Sequence, residues 1–148
     1  MQKVLYMISY EYSTDFKLSS EEGYTSWIKD VVDLYDKEIG ELTYSFMSDS
    51  ELLGFNRQYL NHDTYTDIIS FDYSVGNIIS GDILISVDRV RENSVDFGTP
   101  FHVELLRVMS HGVLHYLGFK DKTDKEARTM RVQEDIAIKL FNEFHVEQ

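Results

Sequence analysis

The sequence predicts an α+β fold, and three observations carry that reading. Four segments rich in β-branched and aromatic residues alternate with segments of helical apolar spacing. The strands fall early in the chain and the helices late. A long helical segment near residue 110 is apolar around much of its circumference, which marks it as a central element rather than a surface one.

Taken in order, Val4 to Tyr10 reads as a strand. Ser20 to Lys37 has helical spacing, with Trp27, Val31, Leu34 and Tyr35 on one side, Ser19 or Ser20 as N-cap and Gly40 as the stop. Leu42 to Met47 alternates like a strand. Ser48-Asp49-Ser50-Glu51 has the form of a capping box and opens a helix through about Tyr59, followed by the polar turn Asn61-His62-Asp63. Thr66 to Tyr73 and Ile79 to Ser86 form a hairpin across Gly76 and Asn77, so the sheet is mixed or antiparallel at that edge. Val87 to Glu92 is a short helix and Asn93 to Gly98 a loop. Thr99-Pro100 starts the central helix, with Thr99 as N-cap, and Val103, Leu106, Val113, Leu114 and Leu117 are its core residues. Thr123-Asp124-Lys125-Glu126 is a second capping box, opening a last helix that runs to about Phe144.

With 148 residues, one domain spanning 1–148 is expected, long enough to bury about two-thirds of the surface of its unfolded chain. There is no cysteine, so metal ligands must be His, Asp or Glu, and disulfides are excluded. Met1 to Tyr10 lacks a basic start followed by a long apolar stretch, and no run approaches the ~20 apolar residues of a membrane span. A soluble, cytoplasmic protein is the expectation.

The net charge of −12 argues against a general nucleic-acid binder, because phosphate affinity comes largely from Lys and Arg. The distribution is uneven: Arg107 to Arg131 holds six basic residues against three acidic ones. A solvated helix face accounts for much of that basic cluster.

The segment His111 to Asp121 carries the chemistry. His111 and His115 stand four residues apart in a helical pattern, which puts both imidazoles on one face with Cβ atoms about 5–6 Å apart. Gly118 is placed to end the helix in a left-handed conformation, and the reversed chain can return Asp121 to the two rings. Three protein ligands around a tetrahedral metal leave one position open for water, the arrangement of catalytic sites. The same spacing also suits two histidines that merely pack and hydrogen-bond. In the zinc-protease pattern a glutamate follows the first histidine as general base; here Gly112 does, which argues against a peptidase. A redox iron site of two histidines and a carboxylate is a further, remote reading.

At these residues the chain resembles the YbeY endoribonucleases, also called rRNA maturation factors. Their pattern, His-Gly-x-Leu-His-x-x-Gly-Tyr-Asp-His, is matched at His111, Gly112, Leu114, His115 and Gly118, with Phe119 in place of tyrosine. Upstream, Thr66-Asp67-Ile68-Ile69-Ser70-Phe71 is similar to the family's Thr-Asp-Val-Leu-Ser-Phe strand, Gly81-Asp82-Ile83 to its Gly-Asp-Ile strand, and Asn56 to Tyr59 to the end of its preceding helix. The resemblance implies a small mixed four-stranded sheet packed with helices, the central one carrying the histidines. It also implies one zinc ion per chain, held by His111, His115 and Asp121, with the two histidines catalytic. The implied activity is single-strand-specific endoribonuclease action in rRNA maturation, including the 3′ end of 16S rRNA, and in ribosome quality control. The implied partners are rRNA, the small ribosomal subunit and ribosomal proteins.

Two departures bear on chemistry. Asp121 stands where the family usually has histidine, lowering the site's net charge from +2 to +1 and making bound water less acidic. Leu60 stands where many members place an arginine, and leucine cannot hold a phosphate. Arg57, Lys120 and Lys122 are the candidates to contact RNA instead, while Asp67, Asp82 and Glu104 are candidates to orient the imidazoles. Tyr116 and Phe119 can stack on bases or pack around the turn. Two alternatives to the nuclease follow: a non-catalytic, metal-stabilised ribosome assembly factor, and a metal-dependent hydrolase of another substrate.

Overall fold

Four strands and five helices follow one another as β1 (Met7–Tyr12), α1 (Glu21–Asp33), β2 (Glu38–Met47), α2 (Asp49–Leu60), β3 (Ile68–Asp72), β4 (Ile78–Ser86), α3 (Val87–Phe97), α4 (Phe101–Tyr116) and α5 (Asp124–Phe144) in the computed structural model. It describes residues 6–144, so the expected strand residues Val4 and Leu5 lie outside the described residues. The strands form one sheet in the order β1-β2-β4-β3. β1 and β4 run parallel to β2, while β3 is antiparallel to β4. The expected α+β fold with a mixed four-stranded sheet is therefore what the chain adopts.

Side chains alternate across a strand, and here both faces are used. Leu42, Tyr44 and Phe46 of β2 and Ile79, Ile83 and Ile85 of β4 enter the larger core with Trp27, Ile28, Leu106, Met109 and Val113. Met47, Leu84 and Ile69 point the other way and meet Leu52 of α2. Burying each large apolar side chain contributes about 1.5–3 kcal/mol. Two polar tips are satisfied within that core: Trp27 Nε1 donates to the Ala137 carbonyl at 2.8 Å and Tyr44 Oη to the Met109 carbonyl at 3.0 Å. The second bond fixes β2 against α4.

α4 is buried on several sides, through Leu105, Leu106, Val108, Met109, Val113 and Leu114, as its composition predicted. Its glycine has a steric reason. A β-carbon on Gly112 would lie 3.0 Å from Ile83 Cδ1 and 3.2 Å from Ile68 Cδ1, so the missing side chain lets the helix settle onto the sheet. Gly81 likewise makes room for Tyr116, whose Cζ would be 2.6 Å from an added β-carbon.

Several boundaries differ from expectation. α1 ends at Asp33 and the reversal is made by Asp36 at φ 56°; Gly40 lies inside β2, beside a register irregularity, where a β-carbon would come within 2.8 Å of Ile78 Cγ2. Leu34 therefore follows the helix and is exposed. β3 begins at Ile68 instead of Thr66. α3 takes up residues expected in a loop and runs to Phe97, because Val87, Val90 and Ser94 keep an inward stripe until Gly98, at φ 68°, closes it. The N-cap of α4 is Pro100, not Thr99; the Thr99 N–H is engaged by the Ser94 carbonyl at 2.9 Å in the turn after α3. The capping box at Thr123 forms in full, its hydroxyl accepting from the Glu126 N–H and its N–H donating to Glu126 Oε1. Ser48 instead caps α2 by accepting from the Glu51 N–H and donates its hydroxyl to Glu51 Oε1.

Candidate metal centre

The last two turns of α4 carry His111 and His115, and the helix then stops in a Schellman motif. The Gly118 N–H bonds the His115 carbonyl and the Phe119 N–H bonds the Leu114 carbonyl, both at 3.0 Å, with Gly118 at φ 105°. The reversal returns Asp121 to the helix face. Asp121 Oδ2 lies 3.1 Å from His111 Nε2 and 3.3 Å from His115 Nε2, and the two Nε2 atoms are 3.0 Å apart. All three side chains are partly exposed, so the cluster opens to solvent.

The donor set fits a small divalent ion. Ligand atoms about 2.0–2.1 Å from a tetrahedral ion stand about 3.3–3.4 Å from one another. Distances of 3.0, 3.1 and 3.3 Å between the three atoms are close to such an edge. The ligands present two nitrogens and one oxygen and no sulfur, which suits zinc and also harder divalent ions.

His111 has a further partner that sequence reasoning missed. Its Nδ1 lies 2.6 Å from Glu134 Oε2 of α5, a carboxylate only 7% exposed. Glu134 Oε1 in turn lies 3.2 Å from Arg107 Nη1 and 4.0 Å from Arg131 Nη1. Arg107 also reaches Asp135 Oδ1 at 3.1 Å and Glu104 Oε1 at 3.7 Å. A signal for Glu134 existed: it falls on the buried stripe of α5 with Met130, Ala137, Ile138 and Phe141, where an unpartnered carboxylate would be costly. Burial, the largest influence on the His111 imidazole, lowers its pKa, but the hydrogen bond and charge of Glu134, with Asp121 and Asp67, turn the net shift upward.

The remaining candidates separate. Asp67 precedes β3 near His111; burial raises its carboxyl above the ordinary range while His111 pulls it down. Glu104 is buried one step further out, against Arg107, and burial raises it too. Asp82 is not brought to the cluster. Its neighbours Gly81 and Ile83 face α4, so alternation turns it to the opposite side of the sheet, where it lines a groove of about 780 Å³ with Thr43, Phe55, Tyr59 and Phe71. Lys120 and Lys122 are exposed on either side of Asp121. Arg57 is exposed at the end of α2 and paired with Asp63, and Leu60 is exposed beside it. Tyr116 is buried, its hydroxyl 2.9 Å from the Asp82 carbonyl and 3.0 Å from that of Phe71, and Phe119 meets Tyr35 edge-on, so both aromatics pack.

Fold and cluster together define a small α+β protein with an open two-histidine, one-carboxylate site of the kind used in hydrolytic metal chemistry. Comparison with known proteins gives the family. The family model described as Endoribonuclease YbeY matches residues 9–142. The protein named Endoribonuclease YbeY from Flavobacterium psychrophilum is 54% identical over 96% of this chain and 99% of its own. The protein of that name from Bacteroides fragilis is 49% identical over 78% and 84%. The solution structure of TM1509 from Thermotoga maritima superposes with a TM-score of 0.68 at 22% identity, covering 93% of this chain and 91% of that one, and so shares the fold. The chain belongs to the endoribonuclease YbeY family, and the match extends well beyond the 56–121 stretch from which the resemblance was read.

Proposed function

We propose that this protein is a zinc-dependent, single-strand-specific endoribonuclease that matures rRNA, including the 3′ end of 16S rRNA, and serves ribosome quality control in the cytoplasm. The observation that carries the reading is the convergence of His111 Nε2, His115 Nε2 and Asp121 Oδ2, in a chain of this family. His111 and His115 offer nitrogen lone pairs, and Asp121 adds the one formal negative charge of the set. A divalent ion held there supplies Lewis acidity toward a phosphodiester and acidifies water.

The chain's own residues do the rest. Lys120 and Lys122, exposed around Asp121, attract the phosphates of a strand lying across the site. Gly112 faces the sheet, so the position that holds the general base in zinc proteases cannot serve as one. No other side chain of the cluster presents itself as the general base, which leaves water acidified at the site, the RNA 2′-hydroxyl and Lys120 as the participants. With a net charge of −12 the surface opposes free RNA, and ribosomal proteins at the small subunit supply the missing attraction. Among the described residues no helix is long and apolar enough to cross a membrane.

Two observations favour a second reading, a metal-stabilised assembly factor without appreciable cleavage: Leu60 is apolar and exposed, and Asp121 lowers the charge of the site. The deciding experiment is cleavage of a short unstructured RNA by the zinc-reconstituted protein beside His115→Ala prepared identically. Cutting by the parent alone supports the nuclease. Absence of cutting by both, with stoichiometric zinc in the parent only, supports the assembly factor.

A further inference from the structure

We infer that Glu134 is a positioning residue for the metal centre: it holds the His111 proton on Nδ1, leaving Nε2 bare and aimed at His115 and Asp121. The inference rests on the reading of His111, His115 and Asp121 as ligands.

A neutral imidazole carries one N–H, and the partner of one nitrogen decides which it is. An ionised carboxylate only accepts, so Oε2 at 2.6 Å from Nδ1 requires the hydrogen on Nδ1. The carboxylate itself is constrained. Its other oxygen is taken by Arg107 at 3.2 Å, with Arg131 at 4.0 Å, which prevents the group from turning. Arg107 is anchored in turn by Asp135 and Glu104. Arg107 and His111 lie one turn apart on α4, so both meet Glu134 across the α4–α5 interface. Because Oε2 addresses the ring nitrogen remote from Asp121, Glu134 stays outside the ligand set while defining the state of one ligand.

A buried ion pair that merely joined α4 to α5 would leave the imidazole free to choose its tautomer, so tautomer and metal affinity are the readouts. Long-range ¹H–¹⁵N spectra of the zinc-loaded protein should show His111 with its proton on Nδ1 and the metal on Nε2. Zinc titration against a chromophoric chelator should show Glu134→Ala weaker than the parent by about 10–100-fold, the usual cost of losing such a partner. Glu134→Gln, whose amide oxygen still accepts from Nδ1, should fall between the two and retain the tautomer. His111 found as Nε2–H in the parent overturns the inference without any variant having to fold. So does a folded Glu134→Ala that binds zinc like the parent while His115→Ala does not. Undiminished zinc binding by His115→Ala would remove the ligand reading itself, and the positioning role with it.

Discussion

Gly112 of α4 lies against Ile83 of β4 so closely that a β-carbon on the glycine would stand 3.0 Å from Ile83 Cδ1 and 3.1 Å from its Cγ2. His111 and Gly112 are thus adjacent in sequence but opposed in role, one directed to the metal cluster and the other to the sheet. Gly112→Ala should destabilise the protein by up to roughly 2 kcal/mol, since overpacking a tight contact costs about 1–3 kcal/mol and the better helix propensity of alanine returns about 1. Urea denaturation measures the difference. Gly112→Glu should lose far more and gain no peptide hydrolysis, because the new carboxylate would be driven into Ile83 and Ile68.

Gly118 tests whether the chain reversal sets the site. At φ 105° a side chain is strained, at a cost of about 1–3 kcal/mol. Gly118→Ala should therefore lower stability and also weaken zinc binding, because Asp121 depends on the Schellman turn for its place. Gly98→Ala is the matched control: φ is 68°, the stability loss is similar, and α3 lies outside the cluster, so zinc affinity should not change. Equal affinities for the two variants would contradict this account of Asp121.

The parts of the site visible in the sequence are those built from local geometry. His111 and His115 are read from helical spacing, Gly118 from the conformation that only glycine takes easily, and Asp121 from the turn that follows. Glu134 escaped because its partner is 23 residues away on another helix, although its place on an apolar stripe was a usable clue. Asp82 was misplaced for a related reason: its motif was legible, while the face of β4 it occupies depends on where α4 packs. The strands were found as segments, but the order β1-β2-β4-β3 is tertiary information. Gly40 shows the limit of punctuation rules, since the same residue type that stops a helix also admits a close strand approach.

Replacing Asp121 by histidine bears on the charge of the centre. The change removes the one formal negative charge among the ligands and matches the pattern more usual in the family. A more positive centre acidifies water more strongly. The rising limb of the cleavage rate against pH should move to lower pH in Asp121→His, measured on a short unstructured RNA with zinc saturating. A limb that stays in place would show that another group governs the rate.

Metal removal should be read as stability. A ligand that binds only the folded chain stabilises it by RT ln(1 + [L]/Kd), about 2.7 kcal/mol when zinc is at 100 times its Kd. Here the ion would tie the end of α4 to the loop after it, joining His111 and His115 to Asp121. Chelation should lower the melting temperature of the parent and scarcely affect His115→Ala, which has already lost a ligand. The apo parent should nevertheless stay folded, because Trp27, Tyr44, Phe46 and Ile83 are fully buried independently of the site. Differential scanning calorimetry across a zinc series, with and without chelator, measures both parts: a logarithmic rise with zinc in the parent and none in the variant is the expected result. A parent that unfolds outright on chelation would make the ion a folding requirement and would count against a core sufficient on its own.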